Sequence, residues 1–196
     1  MPARADSCTD AVLNAEQTLD IPSGLLLSIA LVESGGGGAP NALALNVGGR
    51  AIISNDPAIA QAHLRDSSGR IRSNVNAGCM QLSVYYHRSG FRPVEKILDP
   101  AANVWYAARF MARLRHDSAN WAEAVARYHG GSVTGSQGYV CKVWRNLNQL
   151  SPESADTLKA GRCSPVESVR IAPATRRAFD NAQVAQSEDG AGSSED

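Results

Sequence analysis

The chain carries no excess of either charge: 19 Lys and Arg balance 19 Asp and Glu, a formal net charge of +0. It therefore has no basic face of the kind that nucleic acid or an anionic membrane surface would need. It also lacks a long apolar run. The most apolar segment, before Glu33, is cut short by Pro22 on one side and by the glycines from Gly35 on the other, too short to span a bilayer, so a soluble protein is expected. None of the four cysteines has the C-x-x-C spacing of a redox or zinc site, and His63, His87 and His116 lie on separate segments without metal-ligand spacing. No metal or cofactor is expected, and no internal repeat is visible. What remains is 196 residues, 43% of them hydrophobic, which suits one globular domain with a substantial core.

The most informative segment runs from Ile21 to Ser34. Leu25, Leu26, Ile29 and Val32 wrap it all round, which predicts a buried helix, with Glu33 on the face of Leu25 and Ile29. Burial disfavours a carboxylate, and the negative end of the helix dipole repels one. Both push Glu33 toward its protonated form, and a carboxylic acid kept neutral near pH 7 can act as a general acid. The plain alternative is a glutamate past the helix end, pointing into water.

The even cysteine count suits pairing in an oxidising compartment. Four cysteines allow three connectivities; the nearest pair is Cys141 with Cys163, which leaves Cys8 with Cys79, and a buried free thiol is the alternative for Cys79. Ala3-Arg4-Ala5 matches the small-residue pattern that ends a secretory signal peptide. Residues 1–5 thus read as the remnant of a signal peptide or a cloning scar, and the expected location is the periplasm.

A first helix is expected from Thr9 or Asp10, with Val12, Leu13, Leu19 and Ile21 as its apolar positions, ending at Pro22; Ser23 would cap the buried helix that follows. Ala42 to Ile53 reads as a hairpin turning at Gly48-Gly49, and Ile71 to Val75 as a further strand. Asp56-Pro57 and Asp99-Pro100 each pair a cap with a first-turn proline, and the second opens the strongest helical stripe, Val104, Ala107, Ala108, Met111 and Leu114. Asn120 caps a helix that ends in Tyr128, and a last helix carries Val140, Val143, Leu147 and Leu150, with Tyr139 and Trp144 adding aromatic bulk. Beyond Cys163 the pattern breaks at Pro165 and Pro173. Residues 164–196 are expected to form a disordered tail after a domain over 6–163.

Three motifs stand in order: Glu33-Ser34-Gly35, Gly78-Cys79-Met80-Gln81, and Ala126-Arg127-Tyr128-His129-Gly130-Gly131. From about Cys8 to Leu150 the chain resembles the lytic transglycosylase SLT family, whose pattern is E-S, then G-L-M-Q, then A-x-Y-N-x-G. The long insert after the first motif and the Tyr128-His129 variant of the third are most similar to members that accompany flagella and type III or type IV secretion systems. The resemblance implies an α+β, predominantly helical, lysozyme-like fold with a small β-hairpin or sheet. It implies Glu33 as the single catalytic acid and base, and Ser34 orienting the glutamate or its loop. It further implies Met80 packing beneath a sugar, Gln81 hydrogen-bonding substrate, and Tyr128 with its hydroxyl near Glu33 or the substrate's N-acetyl group. Asn46 falls where the family often supplies a loop residue to the sugar site. Cys79 and His129 depart from the pattern, and His129 makes that position's protonation depend on pH.

The implied reaction cleaves the β-1,4 bond between N-acetylmuramic acid and N-acetylglucosamine of peptidoglycan strands without adding water. A monomer is expected, with a flagellar or secretion protein as partner through the tail. The rivals are a hydrolytic lysozyme on the same fold and a non-catalytic peptidoglycan-binding assembly module. Asp56 and Asp99 are available as a second carboxylate but read as helix caps, and Asp66 and Glu95 carry no motif.

Overall fold

A computed structural model describes residues 7–132, 134–158, 163 and 170–191. Helix α1 (Cys8–Thr18) begins in a capping box: the Ser7 hydroxyl accepts the Asp10 N–H, and the Asp10 carboxylate reaches back to the Ser7 N–H. Helix α2 (Leu25–Ser34) follows, its Leu25, Leu26, Leu27, Ile29 and Ala30 wholly shielded from solvent. Its start departs from expectation. Ser23 does not cap it; the capping position is Gly24, in the left-handed region at φ 85°, and it has no side chain to offer. Glu16 of α1 supplies the acceptors instead, taking the Gly24 N–H at 2.8 Å and the Leu27 N–H at 2.9 Å. A helix start sunk this deep has no water to satisfy its N–H groups, so an acceptor must come from a neighbouring element.

The sheet comprises β1 (Ala44–Val47), β2 (Arg50–Ile53), β3 (Val75–Ala77) and β4 (Leu82–Ser83), all antiparallel in the order β2-β1-β3-β4. Between β2 and β3 lies α3 (Pro57–Ala62), capped as expected by Asp56. The strand expected over Ile71 to Val75 is displaced. Ile71 makes only an isolated bridge to Arg65, because Asp66 gathers the N–H groups of Ser68 and Arg70 into a tight turn, and the ladder starts at Val75. One face of the sheet is core, through Leu45, Val75, Ala77 and Leu82; Asn46, Ala51, Asn76 and Ser83 occupy the other.

After the short α4 (Val84–His87), helix α5 (Pro100–His116) crosses the centre of the molecule, with Asp99 capping it through the Ala102 N–H. All five residues of its expected stripe are buried, and so is Asn103. Asn103 accepts the Met80 N–H and donates to the carbonyls of Ala77 and Ile97, so one carboxamide ties the Gly78-to-Gln81 turn to the central helix. Gly78, at φ 84°, must be glycine there, since a Cβ would lie 2.3 Å from the Asn103 amide nitrogen. Helices α6 (Trp121–Tyr128), capped by Asn120, and α7 (Gln137–Leu150) complete the expected set. Disulfides join Cys8 to Cys79 and Cys141 to Cys163, the pairing expected.

The tail requires correction. After α8 (Pro152–Ala155), residues 170–191 are not disordered: Pro173–Ala191 form helix α9, packed on α1. Phe179 is 2% exposed and fills the notch beside Gly24, Leu147 and Leu150. Gln183 donates to the Ser23 hydroxyl, Arg176 to the Gln149 carbonyl, and the Ala172 N–H to the Gly38 carbonyl in the loop after α2. One large aromatic and three donors carry what composition alone does not reveal. Residues 164–169 and 192–196 of the expected tail, Val169 among them, and the expected leader remnant over 1–5 lie outside the described residues. The chain is α+β and predominantly helical, and among the described residues no helix is long and apolar enough to cross a membrane.

Candidate active site

Glu33 occupies the last turn of α2, half-buried, at the edge of a cleft of about 520 Å³. Across the cleft stand Asn76 of β3, Gln81, Ser83, Tyr86 and His87, Phe110 of α5, and Arg127, Tyr128 and His129 at the end of α6. Burial raises the Glu33 carboxyl to about 7, a rise opposed by a hydrogen bond from Tyr139 and by the charge of Lys142. This is the direction expected for a carboxylate at the end of an apolar helix. Glu33 is also the sole carboxylate among the described residues that line the cleft.

The Tyr139 hydroxyl donates to Glu33 Oε1 at 2.6 Å, and its ring stacks on His129 with centroids 4.1 Å apart and planes 10° from parallel. Burial and the nearby glutamate raise the Tyr139 phenol well above its usual value, so it remains a neutral donor. With Oε1 engaged, the acidic proton belongs on Oε2. Sequence reading assigned Tyr139 only bulk. The available signal was its place four residues before Val143 at the head of a buried stripe, where a phenol must find a polar partner.

The other expected site residues divide into two groups. Gln81 and His129 line the cleft, the Gln81 carboxamide nitrogen held by the carbonyls of Ala44 and Gly78. Tyr128 lines it too, and Glu33 helps raise its phenol, but its hydroxyl donates to the Met80 carbonyl at 2.8 Å rather than to Glu33. Met80 itself is fully buried, so its side chain packs the core rather than a sugar, and its backbone serves the site by accepting Tyr128. Ser34 is buried as well. Its hydroxyl donates to the Cys79 carbonyl at 2.7 Å and accepts the Asn41 N–H, which fastens the Glu33 turn to the second motif and leaves no group for substrate. Asn46 lies outside the cleft lining, on the open sheet face directly across from Asn76, and accepts the Gly49 N–H.

A larger hollow of about 710 Å³ lies between Leu43, Pro57, Pro93 and Pro100. Its two acids are spoken for: Asp99 caps α5, and Glu95 is paired with Arg65 and held below its ordinary value. Two acids among the described residues are raised by burial, Glu33 to about 7 and Glu16 to about 8; Glu16 is spent on the Gly24 and Leu27 N–H groups, which makes the Glu33 cleft the candidate site. No protein-family model, curated protein or solved structure matches this chain.

Proposed function

We propose that the protein is a peptidoglycan lytic transglycosylase on a lysozyme-like fold. The observation that carries this reading is Glu33: an acid raised to about 7, alone among the described residues of its cleft in bearing a carboxylate. Two-carboxylate glycosidases hold their acids about 5–5.5 Å or about 6.5–9.5 Å apart so that the second can attack or activate water. The other side chains that line this cleft include the polar Asn76, Gln81 and Ser83 but no second acid among the described residues.

One carboxyl group is enough if the substrate provides the nucleophile. Glu33, protonated on Oε2, gives its proton to the glycosidic oxygen as the bond to the anomeric carbon breaks. The N-acetyl carbonyl oxygen of the muramic acid bonds to that carbon. Glu33, now a carboxylate steadied by the Tyr139 hydroxyl, takes the proton of the C6 hydroxyl, and O6 displaces the acetamido oxygen to close a 1,6-anhydro ring. The glutamate ends the cycle protonated, as it began, and no water is consumed.

The two disulfides suit an oxidising compartment, and the periplasm, where peptidoglycan lies, is the compartment this reading requires. Local opening of the wall for a flagellar or secretion machine is the setting that the motif variants favour. A tail partner would have to use the outer surface of α9, since Phe179 is committed to the core.

Mass spectrometry of the products released from purified sacculi tests the reaction. Muropeptides lighter by one water, ending in 1,6-anhydro-N-acetylmuramic acid, are the expected result. Reducing-end products as the main species would overturn it in favour of a hydrolytic muramidase.

A further inference from the structure

Helices α2 and α7 pack on each other and run antiparallel: Ser28 near the start of α2 meets Asn146 late in α7, and Glu33 at the end of α2 meets Tyr139 early in α7. Both helices are dominated by buried apolar residues, Leu25, Leu26 and Ile29 on one and Val140, Val143 and Leu147 on the other. Among them Asn146 is 2% exposed and Ser28 is fully buried. The Asn146 carboxamide nitrogen donates to the Ser28 carbonyl at 3.1 Å. That carbonyl lies inside a helix, where the N–H four residues on already engages it, so the second bond is not needed to satisfy the backbone. Nor does the contact satisfy its own side chains. Asn146 Oδ1 and Ser28 Oγ are buried with no hydrogen-bond partner among the described residues. An apolar side chain of similar size would fill this crossing without that cost.

What an apolar side chain cannot do is fix how far one helix slides along the other. Apolar attraction has no direction, whereas a single buried asparagine between packed helices sets their register at some expense of stability. Asn146 stands seven residues after Tyr139, two turns along the same face of α7, and Ser28 stands five residues before Glu33 on α2. One side-chain hydrogen bond thus crosses at each end of the contact, the two spaced about 7.5 Å along α2 and about 10.5 Å along α7. A slide of one residue's rise, about 1.5 Å, is enough to carry a donor out of hydrogen-bond range. The stack of Tyr139 on His129 and the disulfide at Cys141 hold the head of α7 from other sides, and neither involves α2. We propose that Asn146 is a positioning residue: its bond to the Ser28 carbonyl sets the register of α7 on α2 and so places the Tyr139 hydroxyl on Glu33. Its effect on turnover rests on the transglycosylase reading of the cleft; its effect on Glu33 does not.

The test follows the Glu33 carboxyl by carbon NMR in isotopically labelled protein, its resonance assigned by its loss in Glu33→Gln. Glu33 faces Tyr139 and Lys142 of α7 and Tyr128 of α6, with Arg127 and His129 also on the cleft, so Tyr139→Phe supplies the reference for loss of the Tyr139 bond alone. Asn146→Leu, close in size but without the donor, raises the Glu33 midpoint by up to about one unit, in the direction of Tyr139→Phe. In the Tyr139→Phe background it moves the midpoint far less, because the bond it would misplace is already gone. The melting temperature does not fall, which separates a register effect from general loosening, and turnover of purified sacculi drops several-fold. A midpoint unmoved by Asn146→Leu, or moved as far in the Tyr139→Phe background, overturns the assignment. Asn146→Ala, which removes the donor without adding bulk, is read in the same way if the leucine variant does not fold. Sacculi left intact by the wild type would overturn the transglycosylase reading, while the titration would still decide the role of Asn146.

Discussion

Tyr139 donates its hydroxyl to Glu33 across a sequence separation of 106 residues, at 2.6 Å. The bond favours the charged form of the glutamate while burial favours the neutral one, and the outcome, a carboxyl near 7, lies between the two. A group that must give a proton and later take one works best with such a compromise, because neither form is far out of reach.

Tyr139→Phe removes the donor and leaves the burial. The Glu33 pKa then rises, by about one unit for the loss of a hydrogen bond to a charged group. The proposed mechanism starts from protonated Glu33, so the alkaline limb of the pH–rate profile should move upward, while the rate on the plateau falls because the carboxylate formed in its first step loses its partner. A limb that stays put or moves toward acid would separate Tyr139 from the titration of Glu33.

Glu33→Gln should lower turnover on the order of a thousandfold, with the fold retained. It should also alter how stability depends on pH. Glu33 and Glu16 both have folded pKa values above their unfolded value of 4.5, about 7 and about 8. Each therefore binds more protons in the folded state, and its stabilising contribution is complete below 4.5 and lost as pH climbs through the folded value. Thermal melts should show the wild type weaker at pH 8 than at pH 5. Glu33→Gln should remove part of that difference and leave the Glu16 part, so an unchanged difference would show that Glu33 titrates normally.

Phe179→Ala should cost about 3–4 kcal/mol, as expected for emptying a buried aromatic site. Hydrogen exchange should quicken over α9 and at the Ala172 amide, which bonds to the Gly38 carbonyl. A melting temperature and exchange pattern equal to those of the wild type would show that α9 does not dock in the notch beside Gly24.

Much of this protein was legible in short stretches of sequence. Asp56, Asp99 and Asn120 cap their helices as expected because a cap and the N–H it accepts lie within three residues, a range at which side-chain chemistry decides geometry. Gly48-Gly49 sets its hairpin for the same local reason, and the apolar surround of α2 foretold a buried helix ending in a perturbed acid. What tertiary structure decided was which distant groups satisfy one another. A buried helix start demands an acceptor without saying that Glu16 will supply it, and a buried phenol demands one without naming Glu33. Ser34 and Met80 carry their motifs, yet packing turned both inward, the first to hold a loop and the second to fill the core. Composition made the tail look unable to fold, but Phe179 needed only a notch that α2 and α7 together create. Local rules act through a few covalent bonds, whereas these partnerships exist only after the chain has closed on itself and removed the water that would otherwise have served as partner.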